Sequence, residues 1–270
     1  MKKIIPQQII SMKGKQKIVM VTAYDYISAK IIDSTKKIDI ILVGDSLGMV
    51  VQGRSDTLRV TMEQMIYHSE MVSRATKRAL VIGDMPFMSY QASIESAVIN
   101  AGRFVKEGGV NAVKLEGAGK TLQKIEAILD AGIPVMGHLG LTPQSVNKFG
   151  GYKLQGKTMK EADRILKEAK ELEDVGVFSI VLEMVPAKLA EKITNSISIP
   201  TIGIGAGPLC DGQVLVYHDI LGYGDFKPSF VKTYVNLSEI ISKAMTEYAN
   251  DVLTGKYPSD EYTPRQNIEE

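Results

Sequence analysis

Three carboxylates in this sequence each follow a short apolar run, and their positions suggest a shared chemical role. Asp45 ends Ile-Leu-Val-Gly-Asp, Asp84 ends Leu-Val-Ile-Gly-Asp, and Glu116 ends Ala-Val-Lys-Leu-Glu. If these runs are neighbouring strands of one parallel sheet, about 4.8 Å apart, their carboxylates can converge on one point. Carboxylate oxygens are preferred ligands of hard divalent cations. The sequence therefore predicts a Mg²⁺ site at these three acids.

Strand alternation adds a positive charge to this group. Lys114 lies two residues before Glu116 and so shares its face of the strand. By the same alternation Asp45 shares a face with Ile41 and Val43, and we expect all of these charged side chains to point inward together. Buried charges are rarely tolerated unless they are paired or bind a metal.

Two more candidates end later apolar runs. Glu183 ends Ile-Val-Leu-Glu, which lies opposite the acids if the sheet closes on itself, and it is predicted to act as a general base. His138, in Met-Gly-His-Leu-Gly, is predicted to contact substrate. The alternatives are that Glu183 pairs with a nearby Lys or Arg, and that Asp45 and Asp84 cap helices or end turns.

Eight runs rich in Val and Ile alternate with amphipathic stretches, a pattern typical of β/α units around a parallel sheet. The predicted strands are 18–22, 38–43, 79–82, 112–115, 134–136, 179–182, 201–204 and 214–217, and the clearest predicted helices are 62–77, 94–107, 122–130, 159–174, 187–193 and 230–248. An open dinucleotide-binding sheet would need G-x-G-x-x-G after its first strand, where this chain has Ala-Tyr-Asp-Tyr.

We therefore predict an α/β fold, a single (β/α)8 barrel domain over residues 1–270, with a short N-terminal segment and a C-terminal surface tail from about residue 255. In such barrels the active site lies at the carboxyl ends of the strands, where the acids fall.

The amino-acid composition limits the classes of binding partner that we expect. Lys and Arg total 32 against 31 Asp and Glu, so no strong field attracts nucleic acid or an anionic membrane. The single cysteine, Cys210, cannot form an internal disulfide, which favours a reducing, cytoplasmic location. No signal peptide or transmembrane helix is predicted. A small-molecule partner is expected.

Several separate motifs resemble those of the ketopantoate hydroxymethyltransferase family. They are Thr-Ala-Tyr-Asp, Val-Gly-Asp-Ser-Leu-Gly-Met, Gly-Asp-Met-Pro-Phe, Val-Lys-Leu-Glu-Gly, Gly-His-Leu-Gly-Leu-Thr-Pro-Gln, Leu-Glu and Gly-Ile-Gly-Ala-Gly-Pro-Leu-Cys-Asp-Gly-Gln, in order over about residues 5–258. The resemblance implies a TIM barrel of the phosphoenolpyruvate mutase/isocitrate lyase type and a Mg²⁺ cofactor. It also implies hydroxymethyl transfer from 5,10-methylenetetrahydrofolate to 3-methyl-2-oxobutanoate, which gives 2-dehydropantoate in pantothenate biosynthesis.

The resemblance also implies residue roles and an assembly. Metal binding falls on Asp45, Asp84 and Glu116, keto acid binding on Asp45, Ser46, Asp84 and Lys114, and proton abstraction on Glu183. Whether Glu116 binds the metal directly or through water stays open. Members of the family form large homo-oligomers, often decamers, so a homodecamer is expected.

Two other functions remain open at this point. One is a lyase or mutase of a 2-oxo or 2-hydroxy acid on the same barrel, although such enzymes typically carry a cysteine in Lys-Lys-Cys-Gly and Cys210 lies in Pro-Leu-Cys-Asp. The other is a barrel that binds metal without catalysis, since fold does not determine function.

Overall fold

The structure, a computed structural model, describes residues 2–224 and 228–264. The chain divides into two compact units, Met1–Tyr217 and His218–Glu270. The first unit contains every strand named below. The prediction of one domain over the whole chain stays a prediction.

Eight parallel strands close into a barrel in chain order, which confirms the predicted fold class. They are β1 (Ile18–Thr22), β2 (Ile40–Val43), β3 (Leu80–Asp84), β4 (Ala112–Glu116), β5 (Val135–Gly140), β6 (Ser179–Glu183), β7 (Thr201–Ile204) and β8 (Gly212–Leu215).

Alternate residues of all eight strands form one hydrophobic cluster, which can only lie inside the barrel. Its strand members are Ile18, Met20, Ile40, Leu42, Leu80, Ile82, Ala112, Met136, Val181, Ile202 and Val214. Ile4 and Ile9 from the N-terminal segment join this cluster, and the Ile4 N–H donates to the carbonyl of Arg78, just before β3. The N-terminal segment therefore closes the amino end of the strands and leaves the carboxyl end as the open rim.

Eleven α-helices are present among the described residues. They are α1 (Pro6–Met12), α2 (Tyr26–Ser34), α3 (Leu47–Val50), α4 (Met62–Ala75), α5 (Ile94–Lys106), α6 (Leu122–Asp130), α7 (Val146–Phe149), α8 (Met159–Val175), α9 (Ala187–Ser196), α10 (Tyr217–Leu221) and α11 (Leu237–Leu253). No helix in the described part of the chain is both long enough and apolar enough to cross a membrane.

Local capping explains where the longer helices begin. Thr61 accepts a hydrogen bond from the Gln64 N–H at 3.2 Å, and the Gln64 side chain accepts from the Thr61 N–H at 3.0 Å. Thr158 and Glu161 repeat this reciprocal arrangement at α8. Such boxes satisfy N–H groups that have no partner within the helix, so each start is determined by residues three positions apart.

Several predicted boundaries were wrong: β5 extends to Gly140 rather than ending at residue 136, and the last strand and the closing helix also differ. The last strand begins at Gly212 rather than at residue 214, and Tyr217 already starts α10. A side chain at Gly212 would overlap the backbone carbonyl of Ile18, so glycine lets β8 approach β1 there. The closing helix begins at Leu237 rather than at residue 230, because the Asn236 side chain accepts from the Glu239 N–H at 3.3 Å and caps it.

Candidate active site

The predicted charged residues gather at the carboxyl rim of the barrel because of strand register. Asp84 on β3 is paired in register with Lys114 on β4, and Glu116 on β4 with His138 on β5. Glu183 ends β6, beside the end of β5. Three consecutive strand pairs therefore carry an unbroken row of ionisable side chains.

Lys114 and Asp84 form the central ion pair of this row. The Lys114 Nζ lies 2.7 Å from the Asp84 Oδ1, and both side chains are almost fully buried. Burial alone would lower the pKa of Lys114, but Asp84, Glu116 and Asp45 outweigh it and raise that pKa above its ordinary value. Lys114 is thus a permanent positive charge among the acids.

His138 links this pair to Glu183. Its Nδ1 lies 3.2 Å from the Lys114 Nζ and 3.5 Å from the Glu116 Oε1, and its Nε2 lies 3.2 Å from the Glu183 Oε2. The Nε2 contact is a close charge pairing without hydrogen-bond alignment. Burial and Lys114 lower the pKa of His138, but Glu116 and Glu183 more than offset them and raise it to about 9. His138 therefore lies between the positive charge of Lys114 and the two glutamates.

Asp45 reaches the rim by a different route from the one predicted. The inward face of β2 carries Ile40 and Leu42, so Ile41 and Val43, which alternate with Asp45, point away from the barrel interior. The strand ends at Val43, and Asp45 lies in the turn that follows. The prediction that alternation aims Asp45 inward was therefore wrong.

The turn after β2 brings Asp45 back to Asp84. The Asp45 N–H donates to the Asp84 Oδ2 at 3.3 Å, and the Asp45 side chain is buried. Gly44 occupies the inward position of the turn, where a side chain would collide with Ser46 Oγ. The absence of a side chain at Gly44 leaves that space to the Ser46 hydroxyl, next to Asp45.

Ser46, the next residue, is half-buried at the start of α3. Its hydroxyl shares a 2.8 Å hydrogen bond with the hydroxyl of Tyr24, which is buried. Ser46 is thus next to Asp45 in the chain and has a defined orientation, as a substrate-binding residue requires.

Sequence reasoning missed Gln144, which contacts two of the predicted metal ligands. Its side-chain Nε2 donates to the Asp45 Oδ2 at 2.9 Å, and its backbone N–H donates to the Glu116 Oε2 at 3.1 Å. Gln144 ends the motif Gly-His-Leu-Gly-Leu-Thr-Pro-Gln, which carried part of the family resemblance. That motif was the available signal, but nothing local aims an amide at acids so far away in sequence.

The residues at the rim fit a partly hydrated hard cation. Burial, followed by repulsion from Asp84 and Glu116, raises the pKa of Asp45 well above its ordinary value. Glu116 Oε1 is buried and accepts no hydrogen bond. Three acids with one lysine leave negative charge that a divalent cation would neutralise.

The acids do not form a closed cage. Within the described part of the chain, no three His, Cys, Asp or Glu side chains are arranged as a ready-made ligand set. Mg²⁺ usually keeps several waters and takes only one or two protein carboxylates, so this arrangement suits Mg²⁺ better than a metal held by protein alone. The metal and substrate roles predicted for these residues stay predictions.

Comparison with known proteins identifies the family. A family model described as ketopantoate hydroxymethyltransferase matches residues 3–260. A 3-methyl-2-oxobutanoate hydroxymethyltransferase of Clostridium botulinum is 58% identical over 93% of this chain and 91% of its own length. Another, of Clostridioides difficile, is 56% identical with the same coverage.

Solved structures share the fold at low identity. A phosphonopyruvate hydrolase superposes with a TM-score of 0.64 at 10% identity and covers 98% of this chain and 92% of its own. A 2,3-dimethylmalate lyase, described as a PEP mutase/isocitrate lyase superfamily member, gives 0.61 at 17% identity and covers 96% and 90%. These likenesses confirm the predicted (β/α)8 barrel fold.

Proposed function

Because the chain belongs to the ketopantoate hydroxymethyltransferase family and is therefore an enzyme, we propose that it makes 2-dehydropantoate for pantothenate biosynthesis. In the proposed hydroxymethyl transfer, the methylene carbon of 5,10-methylenetetrahydrofolate bonds to C3 of 3-methyl-2-oxobutanoate in place of the C3 proton. Water supplies the hydroxyl group and tetrahydrofolate is released, with Mg²⁺ as cofactor.

One observation supports this chemistry above the others. A carboxylate, Glu183, lies 3.2 Å from His138, and His138 in turn lies 3.2 Å from the permanent positive charge of Lys114. Proton removal next to a carbonyl needs a base on one side of the substrate and positive charge where the negative charge develops. Glu183 and Lys114 meet both requirements within one short row of side chains.

Glu183 is the proposed base. Its side chain is 17% exposed, so it reaches the open barrel mouth, where a substrate enters, while the rest of the row stays buried. It would accept the C3 proton of the keto acid. His138 contacts the base from the buried side, with its Nε2 3.2 Å from the Glu183 Oε2.

Lys114 and the acids would bind and polarise the substrate. The Lys114 Nζ provides a fixed positive charge toward the oxygen on which the enolate charge accumulates. Asp45, Asp84 and Glu116 would hold Mg²⁺, the last of them directly or through water. When bound, Mg²⁺ supplies Lewis-acid polarisation, which is worth several kcal/mol in such reactions. Ser46 and His138 complete the proposed substrate contacts.

Proton exchange tests the proposal without the folate. The protein is incubated with 3-methyl-2-oxobutanoate in D₂O, with and without Mg²⁺, and the C3 proton is followed by NMR. We expect exchange that depends on Mg²⁺, and product formation once 5,10-methylenetetrahydrofolate is added. A protein that exchanges no C3 proton in any mixture would not be this enzyme, and metal binding without exchange would indicate a non-catalytic barrel.

Glu183→Gln tests the base. Removing a general base typically costs about 10²- to 10⁴-fold in rate. We expect exchange to fall within that range, with a KM for the keto acid changed much less than kcat. Glu191→Gln, on the exposed surface of α9, is the matched control and should exchange like the wild type. Full turnover by Glu183→Gln would assign the base elsewhere.

Assembly and location form a separate part of the proposal. We propose a homodecamer in the cytoplasm that needs no nucleic acid or membrane partner, supported by the family resemblance, by the single cysteine and by the near-neutral net charge of +1. Light scattering should give ten times the chain mass of 29.5 kDa. A monomeric mass at micromolar concentration would contradict the assembly.

A further inference from the structure

The side-chain amide of Gln144 uses all of its hydrogen-bonding positions inside the barrel rim. Its Nε2 donates to the Asp45 Oδ2 and to the Met85 carbonyl, both at 2.9 Å. Its Oε1 accepts from the Tyr90 hydroxyl and from the Gln91 Nε2, both at 3.0 Å. Gln144 itself is only 6% exposed. A buried amide with four partners has one stable orientation.

The hydrogen bonds that the Gln144 Oε1 accepts determine which groups its Nε2 faces. If the amide rotated by half a turn, its oxygen would face the Asp45 carboxylate and the Met85 carbonyl, which are both acceptors. Its NH₂ would then face the NH₂ of Gln91. Such mismatches in a buried site cost the desolvation of each unpaired group. The NH₂ of Gln144 is therefore held against Asp45.

The same segment also orients Glu116. The Gln144 backbone N–H donates to the Glu116 Oε2 at 3.1 Å. The Tyr90 hydroxyl, which donates to Gln144, accepts from the Glu116 backbone N–H at 3.1 Å. Gln144 and Tyr90 thus contact both the side chain and the backbone of Glu116, and both residues are buried.

Each of these acids therefore has one oxygen already engaged. Asp45 Oδ2 and Glu116 Oε2 accept from Gln144, whereas Glu116 Oε1 is buried and accepts no hydrogen bond. Gln144 is thus bonded to two acids of the rim, Glu116 on β4 and Asp45 in the turn after β2. Its position explains how Asp45, which no strand alternation aims inward, keeps a defined orientation.

We propose that Gln144 is a positioning residue, held by Tyr90, which leaves Asp45 Oδ1 and Glu116 Oε1 as the oxygens that face the cation. This inference rests on the Mg²⁺ site of the proposed function. Groups that orient metal ligands typically affect metal affinity about 10- to 100-fold when they are removed. Gln144 therefore controls the affinity for Mg²⁺ without touching the reacting atoms.

Direct metal titration tests this. Gln144→Met keeps the length and volume of the side chain and the backbone N–H to Glu116 but removes the two donors facing Asp45 and Met85. We expect the Kd for Mg²⁺, measured by calorimetry on metal-free protein, to rise about 10- to 100-fold. At saturating Mg²⁺ the KM for the keto acid should recover toward that of the wild type.

A stability control separates positioning from damage to the fold. Thr194→Val removes a buried hydroxyl that shares a 2.7 Å hydrogen bond with Thr201, at the start of β7 and so at the amino end of the barrel. Its melting temperature should fall as that of Gln144→Met does, while its Kd for Mg²⁺ should match the wild type. An equal loss of Mg²⁺ affinity in both variants would make Gln144 merely structural.

Tyr90→Phe decides the matter if Gln144→Met does not fold. It removes one hydrogen bond to Gln144 and one from Glu116, so the Kd for Mg²⁺ should rise about 2- to 10-fold. Wild-type Mg²⁺ affinity in whichever variant folds would overturn the inference, even if the wild type exchanges the C3 proton. A wild type that binds Mg²⁺ but exchanges no proton would end the proposed function and leave this inference standing. A wild type that binds no Mg²⁺ overturns both.

Discussion

Removing Lys114 gives the sharpest test of the electrostatic account of the rim. Lys114 lies 2.7 Å from Asp84, and the two side chains are 5% and 3% exposed. Breaking a buried ion pair by removing one partner typically costs about 3–5 kcal/mol because the other charge stays buried and unpaired. Lys114→Met should therefore destabilise the metal-free protein by about that amount, which corresponds to a fall in melting temperature of about 6–20 °C for a barrel of this size.

An exposed ion pair with the same length is the matched control. Arg164 lies 2.7 Å from Glu168 on α8, but these side chains are 50% and 22% exposed. Surface pairs typically contribute about 0–1 kcal/mol, so Arg164→Met should change the melting temperature little. The N–O distance is the same in both ion pairs but their burial differs, so the comparison tests the effect of burial.

The pH dependence of Lys114→Met gives a second, signed readout. Burial, followed by repulsion between the acids, raises the pKa of Asp45 in the folded protein, and burial also raises that of Asp84. A carboxyl whose pKa is higher in the folded than in the unfolded state stabilises the protein at low pH, and this stability is lost as the pH rises. The deficit of Lys114→Met should therefore be larger at pH 8 than at pH 5.

Calorimetric unfolding in EDTA and in excess Mg²⁺ completes the assay. Bound Mg²⁺ stabilises the folded state by an amount that grows with the logarithm of the Mg²⁺ concentration relative to its Kd. It also replaces part of the lost positive charge, so it should recover part of the deficit. A Lys114→Met protein that melts within about 2 °C of the wild type in EDTA at pH 8 would refute this account. A loss of stability that is larger at pH 5 than at pH 8 would contradict the predicted direction of the pH dependence.

Two further predictions concern other parts of the chain. Gly140 has φ of +92°, and a side chain there would overlap the backbone carbonyl of Glu183. Gly140→Ala should therefore lower the free energy of unfolding by at least about 2 kcal/mol and slow C3 proton exchange. A wild-type melting temperature and exchange rate would contradict this. Burial raises the pKa of Asp219 to about 6 from its ordinary 3.8, so its stability contribution is lost as the pH rises from about 4 to about 6. Because the group is only partly buried, Asp219→Asn should stabilise by at most about 1 kcal/mol in urea unfolding at pH 8 and not at all at pH 4; a gain confined to pH 4 would contradict the sign.

The barrel was predictable because its signals are local. Apolar runs such as the one ending at Val43 and capping residues such as Thr61 act over a few positions, and eight repeats of one pattern leave few possible topologies. Boundaries set by contacts between distant segments were missed. Gly212 extends β8 because of its approach to Ile18 on β1, which no local pattern shows.

The identities of the charged residues were also present in the sequence, and their arrangement was not. Carboxylates after apolar runs, a lysine two residues before Glu116, and Glu183 at a later strand end were enough to predict a site at one rim. The direction of the Asp45 side chain depends on the turn after β2, where the inward and outward alternation of the strand no longer applies. The Gln144 amide meets Asp45 across 99 positions of chain, and only closure of the barrel makes that contact. The hydrophobic periodicity of the sequence shows where each strand ends and therefore which residues stand at the rim. The orientation of each carboxylate is set by hydrogen bonds that exist only once the eight strands have closed into a barrel.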